Sequence, residues 1–326
     1  MTRNRIVVAF AALVVTAFAY APVSAAPPKT VPSFGHVFVI IGENTSLSQL
    51  NATNAPFQMR KLKPQSAWLT NYMATSHFST ANYIAMTSGQ YTACEQLDLG
   101  PADCHQGIEN IFHELTVAGV SWQEWNESMP EPCALESTGK SVEGNSYAVK
   151  HNPAVYYDNV EGVGGVWSAT AKSLECLTKV IPTGGTGFND MSAFNSALTA
   201  RTFARFNLIV PNECEDGHDN CPPSGNGITA FDSFLAQEVP LIQGVMGPDD
   251  LLIVTYDEGQ GGGPNQGDKF GGGIVEFAAY GAHVAPGVYG QASNHYGFLR
   301  TMEDGFRTKT HAGAAATTSP ILSIWR

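Results

Sequence analysis

The segment His36-Val-Phe-Val-Ile-Ile-Gly-Glu-Asn44 decides the fold of this 326-residue chain. Residues 36–41 form a continuous, mostly apolar run that is rich in β-branched side chains, and Gly42 ends it. Such a run is typical of a strand that is buried on both faces, because a half-exposed strand would alternate apolar and polar residues. Three further runs of this kind occur at 206–210, 251–256 and 274–280.

Segments with helical spacing lie between these runs. They occur at 81–88, 108–118, 229–239 and 296–306. Buried strands that alternate with helices indicate an α/β fold, in which helices cover both faces of a mainly parallel sheet. The chain contains no internal repeat and no coiled-coil pattern.

Polar side chains follow three of the predicted strands directly or within a few residues. In open α/β sheets, ligands bind outside the carboxyl ends of the strands. Each polar group alone also fits a turn, a helix cap or a disulfide-closed loop. Carboxylates that crowd together repel, however, so they need a shared proton or a cation between them. The residues are Glu43 and Asn44, Asp257 and Glu258, and Asp216 and His218.

This donor set predicts a divalent metal ion. Oxygen ligands favour a hard ion such as Ca²⁺, Mg²⁺ or Mn²⁺, and the addition of histidine would admit Zn²⁺ or Fe. The chain is acidic, with a formal charge of −12 at pH 7. A bound cation would also offset the negative electrostatic field of the protein, which would otherwise repel an anionic substrate.

Ser79 precedes the helix predicted at 81–88. Serine is a preferred N-cap residue, so a purely structural role is one interpretation. The same geometry suits catalysis, because a helix N-terminus presents free N–H groups to an anion and a metal ion lowers the pKa of a serine hydroxyl. Asn82, three residues later, is expected to donate its amide to a phosphate oxygen.

The N-terminus predicts export. Arg3 and Arg5 precede an apolar run from Ile6 to Tyr20, and a small-residue cleavage site follows at 23–25. This order is typical of a secretory signal peptide over residues 1–25. A membrane anchor is the alternative, but the run is shorter than the ~20 residues that span a bilayer. Residues 26–326 are then expected to form a single domain in a secreted or periplasmic protein, with no integral membrane segment.

The charge and the cysteines agree with that location. Loss of two arginines with the signal peptide would take the formal charge from −12 to −14, which argues against a nucleic-acid partner. Six cysteines in an exported chain predict disulfides, and 15 pairings are possible. Pairing of neighbours in sequence favours Cys94–Cys104, Cys133–Cys176 and Cys214–Cys221.

Two glycine-rich segments are expected to be mobile loops, at 184–189 and 259–273. A phosphate-binding loop is the alternative for the second. That segment lacks the G-x-x-x-x-G-K-[ST] pattern, and no clear helix follows it.

Several motifs together resemble the bacterial phosphoesterase family of acid phosphatases and phospholipases C. Residues 36–44 are similar to its H-V-V-V-x-x-E-N opening, and residues 77–83 are similar to its H-P-S-x-P-N-Y motif, which holds a serine nucleophile. Further matching segments follow in the family's order, at 150–153, 211–219, 254–258 and 295–301. Residues 280–283 and 320–325 especially resemble mycobacterial secreted acid phosphatases.

The resemblance implies an alkaline-phosphatase-like α/β fold and a phosphoserine intermediate on Ser79. It also implies roles for the polar residues. The residues that would hold a metal or surround the phosphate are Glu43, Asn44, Asp257 and Glu258, and the residue that would bind a phosphoryl oxygen is Asn82. A second metal site, or the catalytic acid and base, would be formed by Asp216, His218 and His295. The substrate pocket would be lined by His77 and His151. Alternatives remain for His295 as a capped surface residue and for His151 as a hydrogen-bonded core residue.

The chain departs from the family in two places. Phe78 and Ala81 stand where the family has prolines around the serine, so the backbone that aims Ser79 is less restricted. The segment 259–273 is longer and richer in glycine than the pattern.

The sequence therefore predicts an exported phosphomonoesterase. Its substrate would be a small phosphate ester, or a phosphoinositide or other phospholipid. The main alternative is a phospholipase C-type phosphodiesterase on the same scaffold, and the remote one is a non-catalytic extracellular binding protein. A Lys or Arg at a terminal phosphate oxygen would favour monoesters. No G-x-S-x-G motif supports a serine esterase.

Overall fold

The structure is a computed structural model, and it describes residues 30–91, 94–139, 146–185, 190–260 and 271–326. In this part of the chain, nine strands form one sheet, in the order β4-β3-β5-β1-β6-β7-β2-β8 with β9 beside β2. The strands are β1 (Val37–Gly42), β2 (Ala67–Met73), β3 (Trp122–Asn126), β4 (Val180–Pro182), β5 (Phe206–Val210), β6 (Leu251–Tyr256), β7 (Ile274–Gly281), β8 (Gly287–Tyr289) and β9 (Ser293–Asn294).

Helices connect most of these strands. They are α1 (Lys63–Gln65), α2 (Ser79–Ser88), α3 (Pro101–Cys104), α4 (Ile111–Val117), α5 (Asp158–Glu161), α6 (Leu174–Lys179), α7 (Ser192–Ala200), α8 (Gly227–Val245) and α9 (His295–Phe306). Short 3₁₀ helices lie at Leu47–Gln49, Cys94–Leu97, Val149–His151, Pro153–Tyr156 and Gly313–Ala316, and a π-helical turn lies at Gln58–Leu62.

The centre of the sheet is parallel and fully buried. β1 lies between β5 and β6 and runs parallel to both. Every residue of these three strands is buried, as expected where both faces of a sheet are covered. The antiparallel pairings are those of β7 with β6 and with β2. The predicted α/β fold with a mainly parallel sheet is confirmed.

The four predicted strands and the four predicted helices are present, with some shifted ends. The helix predicted at 108–118 begins at Ile111, because the side chain of Asn110 caps it by accepting a hydrogen bond from His113 N at 3.0 Å. α8 continues past Pro240 to Val245. The sequence interpretation missed β2 and β3, which carry polar residues and so show no continuous apolar run.

The three favoured disulfides are confirmed, as Cys94–Cys104, Cys133–Cys176 and Cys214–Cys221. Residues 1–25, where the signal peptide is predicted, lie outside the described residues. So does most of the two predicted glycine-rich loops, at 186–189 and 261–270. Among the helices that the structure describes, none is long and apolar enough to cross a membrane.

Helix α2 is the element that holds the site, and it is buried along its whole length. It packs against α9 and ends at Gly89, which has a left-handed φ of 69°. The carbonyl of Gly89 accepts a hydrogen bond from Ala314 N at 2.8 Å. The C-terminus of α2 is therefore attached to another part of the fold.

Candidate active site

Ser79 is the first residue of α2 and does not cap it. The N-cap position belongs to Phe78, in an extended conformation and without a side-chain cap hydrogen bond. Ser79 is 2% exposed, and its hydroxyl donates instead to Glu43 Oε2 at 3.0 Å. The capping interpretation of Ser79 is therefore wrong. The hydroxyl faces a carboxylate at the end of another element.

Four buried carboxyl groups lie beyond the carboxyl ends of β1, β5 and β6, and we call them the acidic cluster. Because β1 lies between β5 and β6 and runs parallel to both, the three strand ends are adjacent. Backbone hydrogen bonds join the segments that follow these ends. The members of the acidic cluster are Glu43, Asp216, Asp257 and Glu258.

Burial is the main cause of the shifted pKa values in the acidic cluster. It raises the pKa of all four carboxyl groups, and repulsion from neighbouring carboxylates adds to the rise in most of them. The pKa is raised to about 6 for Asp257 and to about 10 for Glu258. The cluster therefore holds protons unless a cation compensates it.

His151 lies between two members of the cluster. Its Nε2 is 3.1 Å from Glu43 Oε1 and its Nδ1 is 3.4 Å from Asp216 Oδ2. The imidazole stacks on Tyr83, with ring centroids 5.4 Å apart. Burial lowers the pKa of His151 well below its usual value, and the charges of Lys150 and His218 lower it further. A neutral imidazole is a metal ligand and a hydrogen-bond partner.

Some buried polar atoms of the cluster contact one another without a hydrogen bond of good geometry. Glu43 Oε1 and His151 Nε2 lie 3.1 Å apart, and Asp216 Oδ2 lies 3.4 Å from His151 Nδ1. Within the described part of the chain, the cluster atoms that lack such a bond are Glu43 Oε1, His151 Nε2, Asp216 Oδ2 and Asp257 Oδ2. Buried acceptors without a good hydrogen bond carry a desolvation cost of about 1–3 kcal/mol each. Over the same residues, no three His, Cys, Asp or Glu side chains are already gathered as a metal site. The donor types thus fit a divalent ion, although the described side chains do not already form a metal site.

Asn82 is tied into the protein by both ends of its amide. Its Oδ1 accepts from the backbone N–H groups of Thr75 and Ser76, at 2.8 and 2.9 Å. Its Nδ2 donates to Ser76 O at 2.9 Å and to Glu258 Oε2 at 3.0 Å. The amide therefore fixes the chain ahead of Ser79 against both α2 and the acidic cluster. Its predicted bond to a phosphoryl oxygen stays a prediction.

His295 begins α9 and is fully buried, so it is not a capped surface residue. The helix cap is Asn294, whose side chain accepts from Gly297 N. The His295 ring lies between Tyr72 Oη, 2.9 Å from Nδ1, and the carbonyl oxygen of Asp257, 2.6 Å from Nε2. It supports the acidic cluster through the backbone of Asp257.

His218 and Asn44 border the cluster. His218 N donates to Asp216 Oδ1 at 2.8 Å, and its ring lies 2.9 Å from Asp219 Oδ1. Its side chain is 24% exposed. Asn44 has a left-handed φ of 52°, which asparagine tolerates better than most residues, and its N–H donates to Asp257 Oδ1 at 3.2 Å. His77 is half-buried, two residues before Ser79.

Two further polar residues border the site that the sequence interpretation did not assign. Lys150 precedes His151, and its Nζ lies 3.7 Å from Asp98 Oδ2. Asp98 Oδ1 in turn accepts from Thr80 N at 3.0 Å. The sequence did offer a signal for Lys150, because it directly precedes His151, which was predicted to line the pocket. Asp98 has no such signal, because only the tertiary fold brings it to α2.

Comparisons with known proteins identify the family to which the chain belongs. The model of the phosphoesterase family matches residues 36–309. A phosphatidylinositol-3-phosphatase of Mycobacterium tuberculosis is 27% identical over 304 residues, which is 91% of this chain and 85% of that protein. A probable acid phosphatase of Kluyveromyces lactis is 26% identical over 70% of this chain, and a phosphate-repressible acid phosphatase of Penicillium chrysogenum is 27% identical over 75%. The chain spans 48% and 52% of the length of these two fungal relatives.

Solved structures agree on the fold. A protein of the alkaline phosphatase superfamily from Vibrio parahaemolyticus superposes with a TM-score of 0.57 at 12% identity, over 85% of this chain and 67% of that one. The lipoteichoic acid synthase LtaP of Listeria monocytogenes superposes with a TM-score of 0.55 at 10% identity, over 91% and 80% of the two chains. The chain belongs to the phosphoesterase family, and it is a phosphate-ester hydrolase with an alkaline-phosphatase-like α/β fold.

Proposed function

We propose that this protein is an exported phosphomonoesterase in which Ser79 attacks phosphorus and forms a phosphoserine intermediate. The observation that carries the proposal is the 3.0 Å hydrogen bond from Ser79 Oγ to Glu43 Oε2 at the start of a buried helix. Relatives named acid phosphatase and phosphatidylinositol-3-phosphatase support phosphate monoesters as substrates. A small phosphate ester and a phosphoinositide headgroup both present this chemistry.

The chain's own residues account for the geometry of attack. In its ionised form, Glu43 accepts the Ser79 proton through Oε2, which frees Oγ to attack phosphorus. The new Oγ–P bond forms as the P–O bond to the leaving alkoxide breaks. Water then breaks the Oγ–P bond and releases phosphate, so that the serine hydroxyl is restored. Asp98 accepts the N–H of Thr80, so the other N–H groups in the first turn of α2, next to Ser79, would stabilise the anionic oxygens.

The histidines divide into two groups. His295 is held on both ring nitrogens by the protein, so we assign it to positioning Asp257. His218 is partly exposed and faces the ring of His151 at 6.4 Å between centroids. We therefore assign protonation of the leaving alkoxide to His218.

A divalent metal ion fits the acidic cluster as part of this proposal. Glu43, Asp216, Asp257 and His151 would hold it through the atoms that lack a hydrogen bond of good geometry, with Asn44 and Glu258 beside them. When bound, such an ion would lower the pKa of a coordinated hydroxyl and offset phosphate charge. Its identity among Ca²⁺, Mg²⁺, Mn²⁺, Zn²⁺ and Fe is left to experiment.

Export to the periplasm or the medium completes the proposal. Three disulfides support an oxidising compartment, and the order of residues 1–25 supports a cleaved signal peptide. The N-terminal residue of the secreted protein, read by mass spectrometry, tests the cleavage site near Ala26.

The test of the nucleophile is hydrolysis of p-nitrophenyl phosphate by wild type, Ser79→Ala and Ser88→Ala. Ser88 is the matched control, because it is a buried serine of α2 whose hydroxyl donates to the helix's own backbone at Ile84 O. We expect Ser79→Ala to lose at least about 1,000-fold in kcat while Ser88→Ala stays close to wild type. Acid quenching should trap a single phosphoryl group on the peptide that contains Ser79. Full activity in Ser79→Ala would exclude the proposed nucleophile.

The same assay tests the metal and the alternatives. Activity should fall after exhaustive chelation and return with a divalent ion, and indifference to both treatments would remove the metal from the proposal. Faster hydrolysis of the bis-ester would favour a phospholipase C-type phosphodiesterase. Absence of both activities in metal-supplemented protein would favour a non-catalytic binding protein.

A further inference from the structure

Lys150 lies beside the acidic cluster, on the 3₁₀ helix Val149–His151. Its side chain is 21% exposed, and its ammonium lies 3.7 Å from Asp98 Oδ2. The next residue, His151, contacts Glu43, and Glu43 contacts Ser79. The backbone of Lys150 is thereby held on the same side of the site as the nucleophile.

Asp98 brings the ammonium to the start of α2. One of its carboxylate oxygens accepts from Thr80 N at 3.0 Å, and the other faces Lys150. Asp98 lies in the loop that the Cys94–Cys104 disulfide closes, and it adopts a left-handed φ of 49°. Asp98 therefore links Lys150 to the N-terminus of the helix that begins with Ser79. The backbone of Asp98 is itself constrained.

The electrostatics assign Lys150 a central place. A lysine side chain is charged at neutral pH, and the ammonium of Lys150 lies 3.7 Å from Asp98 Oδ2. Glu43 and Asp98 are the carboxylates that act most strongly on its charge. Lys150 is thus a permanent cation in a strongly acidic surrounding.

The two substrate classes differ where such a cation would act. A phosphate monoester has three terminal oxygens and carries up to two negative charges, whereas a diester has two terminal oxygens and carries one. A fixed ammonium at the third oxygen gains a charge-assisted hydrogen bond with a monoester. With a diester, it would face the second organic substituent and lose its hydration without a replacement partner.

We propose that Lys150 is a specificity-determining residue, which binds a terminal phosphate oxygen and selects monoesters over diesters, and that Asp98 positions it. This inference rests on the proposed phosphatase function, and it adds the residue that sets the substrate class. The competing interpretation is that Lys150 only neutralises the carboxylates around it. A neutralising role predicts equal losses on both substrates, while a terminal-oxygen contact predicts a loss on monoesters alone.

The experiment compares kcat/KM for p-nitrophenyl phosphate and for bis(p-nitrophenyl) phosphate in Lys150→Met and Lys150→Arg. Lys172→Met is the matched control, because Lys172 also pairs with a carboxylate, Glu131 at 2.8 Å, and has a similar side-chain exposure of 18%. We expect Lys150→Met to lose about 10- to 100-fold on the monoester and to stay within about threefold of wild type on the diester. Lys150→Arg should recover most of the monoester rate. Equal losses on both substrates, or no loss on the monoester, would overturn the proposal.

Two further measurements keep the result interpretable. Asp98→Asn retains an oxygen for Thr80 N but releases Lys150, so KM for the monoester should rise more than kcat falls. Binding of inorganic phosphate, measured by calorimetry, should weaken in Lys150→Met but not in Lys172→Met. Unchanged phosphate affinity overturns the role of Lys150 even in a protein without measurable turnover. Loss of turnover in wild type itself would instead contradict the proposed function.

Discussion

Replacement of Glu124 by glutamine should change how the stability of this protein depends on pH. Glu124 lies in β3 and is fully buried. Its carboxylate accepts from Asn126 Nδ2 and from Ala154 N, both at 3.2 Å. Burial raises its pKa from 4.5 to about 8, and these two hydrogen bonds offset only part of the rise.

Proton linkage gives the direction and the size of the change in the free energy of unfolding with pH. A carboxyl group with a raised pKa in the folded state stabilises the fold fully below its unfolded pKa, and this contribution is lost as the pH rises towards the folded pKa. With pKa values of about 8 folded and about 4.5 unfolded, Glu124 alone should lower the free energy of unfolding by about 2.5 kcal/mol between pH 5 and pH 7. Glutamine does not titrate, so Glu124→Gln should lack this loss.

The assay is urea denaturation of wild type and Glu124→Gln at both pH values, with the disulfides intact. Glutamine places an NH₂ group near one of the two donors, but that cost is independent of pH and cancels when the two conditions are compared. Glu124→Gln should therefore gain about 2.5 kcal/mol relative to wild type on going from pH 5 to pH 7. Glu131→Gln is the control, since Glu131 is exposed, and its hydrogen bond to Lys172 lowers its pKa. A difference between Glu124→Gln and wild type that stays constant within about 0.5 kcal/mol would refute a neutral Glu124 in the folded protein.

Two other substitutions test the supports of the site. Gly89 and Gly119 have φ values of 69° and 70°, but an added Cβ would lie 2.4 Å from Ala312 O at Gly89 and would meet nothing within 4 Å at Gly119. Urea denaturation should show a loss of about 1 kcal/mol for Gly119→Ala and of about 3 kcal/mol or more for Gly89→Ala; equal losses would contradict the attachment of α2 at its C-terminus. Tyr72→Phe removes the hydrogen bond to His295 Nδ1, so steady-state kinetics should show a lower kcat with little change in KM, and stability should fall by about 1–3 kcal/mol. Unaltered kcat would contradict the positioning role of His295.

The centre of the fold could be predicted from the sequence because it leaves a simple signal. β1, β5 and β6 are buried on both faces, so each is a continuous apolar run, and each is followed by polar residues at the predicted edge. β2 and β3 lack that signal. Thr70 in β2 is exposed, and β3 buries Glu124 among its tryptophans.

The site was only partly predictable for a different reason. Residues next to strand ends are placed by local sequence, so the acidic cluster follows from the strand assignment. The partners of Ser79 and Asn82 depend on how α2 packs. From sequence, Ser79 fits a helix cap, and only the fold shows that its hydroxyl faces Glu43. Asp98 reaches α2 from a disulfide-closed loop, which no local pattern indicates.

Buried carboxyl groups away from the site bear on how a decline in activity with rising pH should be interpreted. Burial raises the pKa to about 8 for Glu124, to about 7 for Glu238 and to about 9 for Glu303. Each of these groups makes folding less favourable as the pH rises from 5 towards 8. A decline in activity over this range can therefore arise from unfolding as well as from titration of the site. The two causes separate in a Glu124→Gln background, because a weaker pH dependence of stability would shift the alkaline limit of activity only if unfolding sets that limit.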